Sequence, residues 1–148
     1  MRVVVQRVSR ASVEVHGERI SAIGPGYLLL VGIGASDEPV EPDRMAEKVF
    51  NLRVFADEDH KMNRSLSDMG GQILVVSQFT LYGDVRKGRR PSWTGAAAPE
   101  VAEERVEAFA KALEARGATV GRGVFGAHMQ VDLVNDGPVT LILDSADL

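Results

Sequence analysis

The chain has 148 residues, 45% of them apolar and 26% charged, the composition of one ordinary soluble domain with a proper core. It contains no cysteine, which excludes disulfides, thiolate catalysis and cysteine-ligated metals. A net charge of −4 argues against a surface coated with phosphate-binding residues, although one local basic patch is compatible with it.

Only a few valines follow Arg2, far short of a secretory apolar stretch, and no segment approaches membrane-spanning length. A cytoplasmic protein with no membrane partner is expected. Val3 and Val5 alternate with polar neighbours, as do Val13 and Val15, so residues 1–15 are predicted as a strand or a pair of strands. His16-Gly17-Glu18 turns the chain into Arg19 to Ile23, and Gly24-Pro25-Gly26 is a strong turn signal. Tyr27 to Val31 is a buried-type strand ending in Gly32-Ile33-Gly34. That Gly-x-Gly lacks the third glycine and the spacing of a dinucleotide site, and it reads as structural. Pro42 suits a helix first turn, and Met45, Val49 and Leu52 predict an amphipathic helix over 43–53. Asp57-Glu58-Asp59 fails the calcium-loop pattern and reads as a solvated turn, and His60 has no second histidine at ligand spacing.

The chemistry begins at residues 71–83. Ile73-Leu74-Val75-Val76 is an unbroken apolar run, which suits a strand buried on both faces. Ser77, Gln78 and Thr80 then put hydrogen-bonding side chains at the end of that strand, with Phe79 between them. Buried polar groups need partners, so the arrangement costs stability unless neighbours or a ligand satisfy them. Taken alone, the segment is most simply a strand end bonding to its own loops. Next come Arg86, Lys87, Arg89 and Arg90, four cations within five residues and the most basic stretch of an acidic chain. Such a run is usually a solvated loop, but its position directly after the polar strand end also suits a polyphosphate backbone.

Pro99 in a first turn, acidic residues after it and Gly117 past the end predict a helix with Ala102, Val106, Phe109 and Leu113 as its buried stripe. Strands are predicted over 119–124 and 127–134, the second with Met129, Val131 and Leu133 on one face and His128 on the other. A lone histidine in a strand is ordinarily a packing or surface residue. A second unusual segment follows, Asn135-Asp136-Gly137-Pro138-Val139-Thr140, predicted as a hairpin-like turn before a strand over 141–143. Glycine next to proline gives bare, rigid backbone, a good tool for measuring a ligand's shape at close range.

Ser77-Gln78-Phe79-Thr80-Leu81 together with Asn135-Asp136-Gly137-Pro138-Val139-Thr140 resembles the motif pair of the D-aminoacyl-tRNA deacylases, with Phe125-Gly126 and Met129-Gln130-Val131 between them. The resemblance runs the whole chain, 1–148, as one domain. It implies a homodimeric editing enzyme that cleaves the ester between a D-amino acid, or glycine (including glycine mischarged on alanine tRNA), and the terminal ribose of tRNA. It implies that Gly137-Pro138 is a cis pair reaching into the other subunit's active site, so that L-aminoacyl esters are refused by clash. Ser77, Gln78, Phe79 and Thr80 would line that pocket, with Phe125, Met129, Asn135 and Thr140 around the adenosine and substrate. Arg86, Lys87, Arg89 and Arg90 are candidate contacts to tRNA phosphates. No cofactor and no metal are expected.

Rejection by a rigid wall is an effective way to sense chirality, because both enantiomers offer the same favourable contacts. It also predicts that glycine, with no side chain to refuse, passes. No His, Lys or carboxylate in the motifs is placed as the base of a serine-type triad, apart from Asp136 in the turn. Thr80 as nucleophile is the conventional alternative to assistance by the substrate's 2′-hydroxyl. A non-catalytic RNA-binding module built on residues 86–90 and Trp93 is the main rival class. A metal-dependent hydrolase ranks last, since His16, His60 and His128 are widely separated. The expected fold is a mixed α/β domain of α+β type, with a mostly antiparallel, barrel-like sheet, two main helices on one face and active sites at a homodimer interface.

Overall fold

A single 14-residue strand, β1 (Arg2–Val15), organises the sheet. In the computed structural model, which describes residues 1–148, β1 turns into β2 (Glu18–Ile23) through His16 and Gly17. Their φ angles of 51° and 76° are the positive pair that a two-residue hairpin demands. β3 (Gly26–Gly32) pairs antiparallel with the first half of β1, from Arg2 beside Gly32 to Val8 beside Gly26, while β2 takes the second half. Then follow α1 (Glu41–Phe50), a small hairpin of β4 (Phe55–Ala56) and β5 (Met62–Arg64), and the one-turn α2 (Leu66–Met69). The chain continues with β6 (Gln72–Ser77), α3 (Pro99–Ala115), β7 (Thr119–Arg122) and β8 (Gln130–Asp144).

β6 joins β3 in parallel, β7 joins β6 in parallel, and β8 runs antiparallel along the free edge of β1. The sheet is therefore mixed, and it curls until β7 meets β2: a Cβ on Gly121 would lie 2.3 Å from Ser21 Oγ. One face packs under α1 and α3 through Met45, Val49, Phe109 and Leu113 against Val3, Val5, Leu29, Ile73 and Val75. The opposite face closes a second cluster of Val13, Ile23, Leu28, Leu74 and Val76. The four apolar residues of β6 thus alternate between two cores, as an unbroken hydrophobic strand should. No helix is long and apolar enough to cross a membrane.

Several expectations need correction. Residues 127–134 and 141–143 are not two strands around a hairpin turn. They belong to one strand, Gln130–Asp144, because β1 is long enough to template both. The Asn-Asp-Gly-Pro stretch is absorbed as a register shift: β1 advances two residues from Gln6 to Val8 while β8 covers five from Thr140 back to Asn135. Of the two readings of residues 1–15, the single strand is the one observed. The first helix ends at Phe50, where Asn51 caps it, so Leu52 lies beyond it. The strand predicted over 119–124 stops at Arg122, since its partner register on β6 ends at Val75. α2 was not foreseen: it is only four residues long, below any periodicity, and is carried by a Ser65–Asp68 capping box.

The parallel seam depends on Gly26. Its φ is +156°, and a Cβ there would sit 1.8 Å from the carbonyl oxygen of Gln72. Gly26→Ala should therefore push β3 and β6 apart and cost at least about 3 kcal/mol. Gly17→Ala, where the new Cβ meets nothing within 4 Å, should cost only about 1–2 kcal/mol for its positive φ. Urea unfolding midpoints compare the two; equal losses would contradict this account of the seam.

Candidate active site

β6 ends where its partner ends. Ser77 lies beside Val31, and the Gln78 N–H donates to the Val31 carbonyl at 2.7 Å, the last bond of the seam. From there the chain bends, with Gln78 at φ −147° and ψ 76°, into a 3-10 turn of Phe79–Tyr82. Ser77 and Gln78 are half-buried, while Phe79 and Thr80 are exposed. The sequence motif is thus a lip over the end of a buried strand. Gln78 Nε2 donates to Thr80 Oγ1, and no other side chain hydrogen-bonds that hydroxyl.

The lip is held from below by residues that no motif announced. Arg2 Nη1 donates to the Leu81 carbonyl at 3.0 Å, its guanidinium lies 4.6 Å from the Tyr82 ring centroid, and Arg2 Nε pairs with Asp144 at 2.8 Å. Gly34 lets Tyr82 come this close, since a Cβ there would meet Tyr82 Oη at 2.8 Å. Burial pushes the Asp144 carboxyl up, but hydrogen bonds from Arg2 and the Ala146 N–H outweigh it and hold the group below its ordinary value. Arg2 and Asp144 are 142 positions apart, so only strand pairing could reveal them.

Ser77 borders two clefts. One, of about 250 Å³, runs past Gln78 and Phe79 to Gly126, His128 and Met129. The other, of about 400 Å³, lies under α3 and includes Phe125, Glu103, Glu104 and Arg122. Met129 and Phe125 therefore flank Ser77 from different sides. Met129 Sδ accepts the Val124 N–H at 3.4 Å and folds over Gly123, where a Cβ would be 2.7 Å away. Arg122 bridges Glu107 at 2.9 Å and Glu114 at 2.7 Å, and those two carboxylates push its guanidinium pKa up. No group of three or more His, Asp or Glu side chains converges to hold a metal ion.

The basic loop follows the lip directly and is closed by paired backbone bonds between Asp84 and Ser92. Arg86 is engaged by Asp84 at 2.6 Å, and the Arg86 side chain and N–H hold that carboxyl down to about 2. Lys87, Arg89 and Arg90 are exposed.

The second motif lies elsewhere in the protomer. The Gly137–Pro138 bond is cis, and the segment sits beside Arg7 and Val8 of β1. Asn135 Nδ2 spans it, donating to the Arg7 carbonyl at 2.9 Å and the Val139 carbonyl at 3.2 Å. Arg7 Nε pairs with Asp136 at 3.1 Å, and Gln6 Nε2 reaches Thr140 Oγ1 at 3.3 Å. Gly137, Pro138 and Thr140 are exposed. Ser77, by contrast, is aligned through Val31 with Val3, five residues away along β1. That is roughly 15 Å along the strand direction, and β6 and β8 are three strands apart. Within one chain the fold does not bring Gly137, Pro138, Asn135 or Thr140 to Ser77 and Thr80.

Comparison with known proteins is consistent across sequence and structure. Residues 4–144 match the family model described as D-Tyr-tRNA(Tyr) deacylase. A Roseiflexus castenholzii protein named D-aminoacyl-tRNA deacylase is 60% identical over 146 residues, spanning 99% of this chain and 93% of the relative. A Thermomicrobium roseum protein of the same name is 60% identical over 148 residues, covering 100% and 96%. The solved structure of a c-Myc DNA unwinding element binding protein superposes with a TM-score of 0.91 at 47% identity, over 97% of this chain and 98% of that one. A probable eukaryotic D-amino acid tRNA deacylase shares the fold at 17% identity, with a TM-score of 0.81 over 96% and 97%.

The support under the lip is testable by pH. Because the folded Asp144 carboxyl lies below its unfolded value, its contribution is complete above about pH 4 and is lost as pH falls through the lower folded value. Both partners are partly exposed, so Asp144→Asn should cost only about 0.5–1 kcal/mol at pH 7. It should also flatten the acid limb of the Tm-versus-pH curve. An acid limb as steep as the parent's would show that Asp144 does not contribute.

Proposed function

The chain belongs to the D-Tyr-tRNA(Tyr) deacylase family and is a hydrolase of the D-aminoacyl-tRNA ester bond, and from that premise we propose how it selects and cleaves its substrate. The observation that carries the proposal is the isolation of Thr80. Its hydroxyl accepts from an amide N–H of Gln78, and no histidine, lysine or carboxylate hydrogen-bonds it. An amide cannot take up the proton that a threonine nucleophile must lose. The proton-transfer chemistry is therefore assigned to the substrate: the 2′-hydroxyl of the terminal ribose assists water in attacking the neighbouring ester carbonyl. Ser77, Gln78, Phe79 and Thr80 place the ester, and backbone N–H groups of the Phe79–Tyr82 turn stabilise the oxyanion. Positioning and oxyanion stabilisation suffice for much of the acceleration, because an aminoacyl ester is already activated.

Selection is assigned to Gly137-Pro138 of a second copy. Within a protomer the segment is exposed and lies beside the middle of β1, five residues along that strand from the position aligned with Ser77 and three strands away from it. A wall that reads the ester must then come from a partner, which makes the working unit a homodimer. Asn135, tied to the carbonyls on both sides, and Arg7, paired with Asp136, keep the wall rigid. Carbonyl backbone where an L side chain would go refuses that enantiomer and admits glycine, so glycyl-tRNA, including glycine on alanine tRNA, is a second substrate. Phe125 and Met129, on the two sides of Ser77, hold the terminal adenosine. The protein acts without a cofactor, in the cytoplasm.

Time courses of ester loss from D-tyrosyl-, L-tyrosyl- and glycyl-tRNA should show the first and third cleaved and the second spared. Equal cleavage of all three would remove the wall. Thr80→Ala should keep kcat within about tenfold of the parent, since positioning by one hydroxyl is worth about 1.4 kcal/mol at most. A substrate with hydrogen in place of the 2′-hydroxyl should be nearly inert. A Thr80→Ala protein that binds tRNA but cleaves nothing would restore threonine as the nucleophile.

A further inference from the structure

Phe79 and Trp93 stand together on the open side of the lip. Their ring centroids are 5.2 Å apart with planes crossed at 73°, and they remain 55% and 41% exposed. Two adjoining aromatic rings left in water mark an interaction surface. Both are held in place. Phe79 opens the 3-10 turn, and Trp93 follows Ser92, whose backbone exchanges bonds of 2.8 and 3.0 Å with Asp84. The indole packs so closely on Gly83 that a Cβ there would lie 2.8 Å from Cζ3.

The loop that carries Trp93 also carries the cations. Arg86 is neutralised by Asp84, but Lys87, Arg89 and Arg90 are exposed and make no ion pair, in a chain whose net charge is −4. Flat rings beside free cations suit a single-stranded nucleic acid, whose bases stack while its phosphates run along the basic loop. An acidic peptide would use the cations and leave the rings idle, and an apolar one the reverse. Phe79 also borders the 250 Å³ cleft that leads to Ser77 and Met129, so the surface is continuous with the reaction site.

We propose that Phe79, Trp93 and the cations Lys87, Arg89 and Arg90 form a platform for the unpaired nucleotides that precede the terminal adenosine of tRNA. One base stacks on Trp93, and the acceptor arm leaves over the basic loop. The glutamates of α3 lie on the other side of Ser77, where Glu103 and Glu104 would repel phosphate. This proposal rests on the tRNA-ester reading and adds the direction in which the RNA departs.

Trp93 is the only tryptophan, so its fluorescence reports on this place alone. Titrating the protein with an uncharged single-stranded RNA ending in CCA should quench that emission saturably, with an affinity that falls as salt rises. Absence of quenching would overturn the platform. In kinetics, D-tyrosyl-tRNA is compared with D-tyrosyl-adenosine, which lacks the preceding nucleotides. Trp93→Ala should lower kcat/KM on the tRNA by about tenfold or more, mainly through KM, and erase most of its advantage over the adenosine ester. Trp93→Phe should restore part of it. Equal loss on both substrates would show that Trp93 merely supports the lip and would overturn the proposal, as would no loss on the tRNA. If the RNA quenched Trp93 but neither ester were cleaved, the hydrolase reading would fall while the platform stood.

Discussion

The parallel seam between β3 and β6 is the constraint on which the site depends. Ile73, Leu74, Val75 and Val76 are buried in two different cores, each contributing about 1.5–3 kcal/mol if fully removed from water. Burial on both faces leaves this strand no freedom to slip, since a one-residue shift would exchange its two core faces. The seam ends at the Gln78–Val31 bond, and the polar motif begins there. Ser77 to Thr80 are precise in position because the four residues before them cannot move.

The surroundings of that lip divide its labour by charge. Arg2, Tyr82 and Asp144 form a partly buried support in which a guanidinium serves a carbonyl, a ring and a carboxylate at once. On one side of Ser77 lie the glutamates of α3 with Arg122 drawn into two of them. Beyond Phe79 comes a loop whose free cations lie between the two members of the exposed aromatic pair, Phe79 and Trp93. Charge of opposite sign on the two sides of the lip makes a field that suits the proposed orientation of the tRNA ester. No proton acceptor bonds the Thr80 hydroxyl, and that is the observation on which the proposal of substrate-assisted cleavage rests.

Gly137-Pro138 shows how a motif can be legible while its place is not. Its composition announces a rigid piece of bare backbone, and Asn135 and Arg7 confirm how it is braced. Its location follows from β1, which pairs with three strands at once and holds the segment beside its middle, on the edge away from β3 and β6. The hairpin expected there dissolved into a register shift because a 14-residue template was available on the neighbouring strand. Local turn signals are outbid when a long partner can satisfy the same backbone groups.

Patterns that act within a few residues were therefore readable in the chain itself. These include the apolar run of Ile73 to Val76, the change to Ser77-Gln78-Phe79-Thr80, the i, i+4 stripes of α1 and α3, and the cations of residues 86–90. Each depends on side-chain character repeating at the period of one element. The parallel placement of β6 between β3 and β7, the unity of β8 and the Arg2–Asp144 support were decided only by tertiary structure. They join residues from opposite ends of the chain, and contacts at that separation arise from which strands lie side by side. No local pattern encodes that, because the free energy that selects it is shared among two cores and a whole sheet.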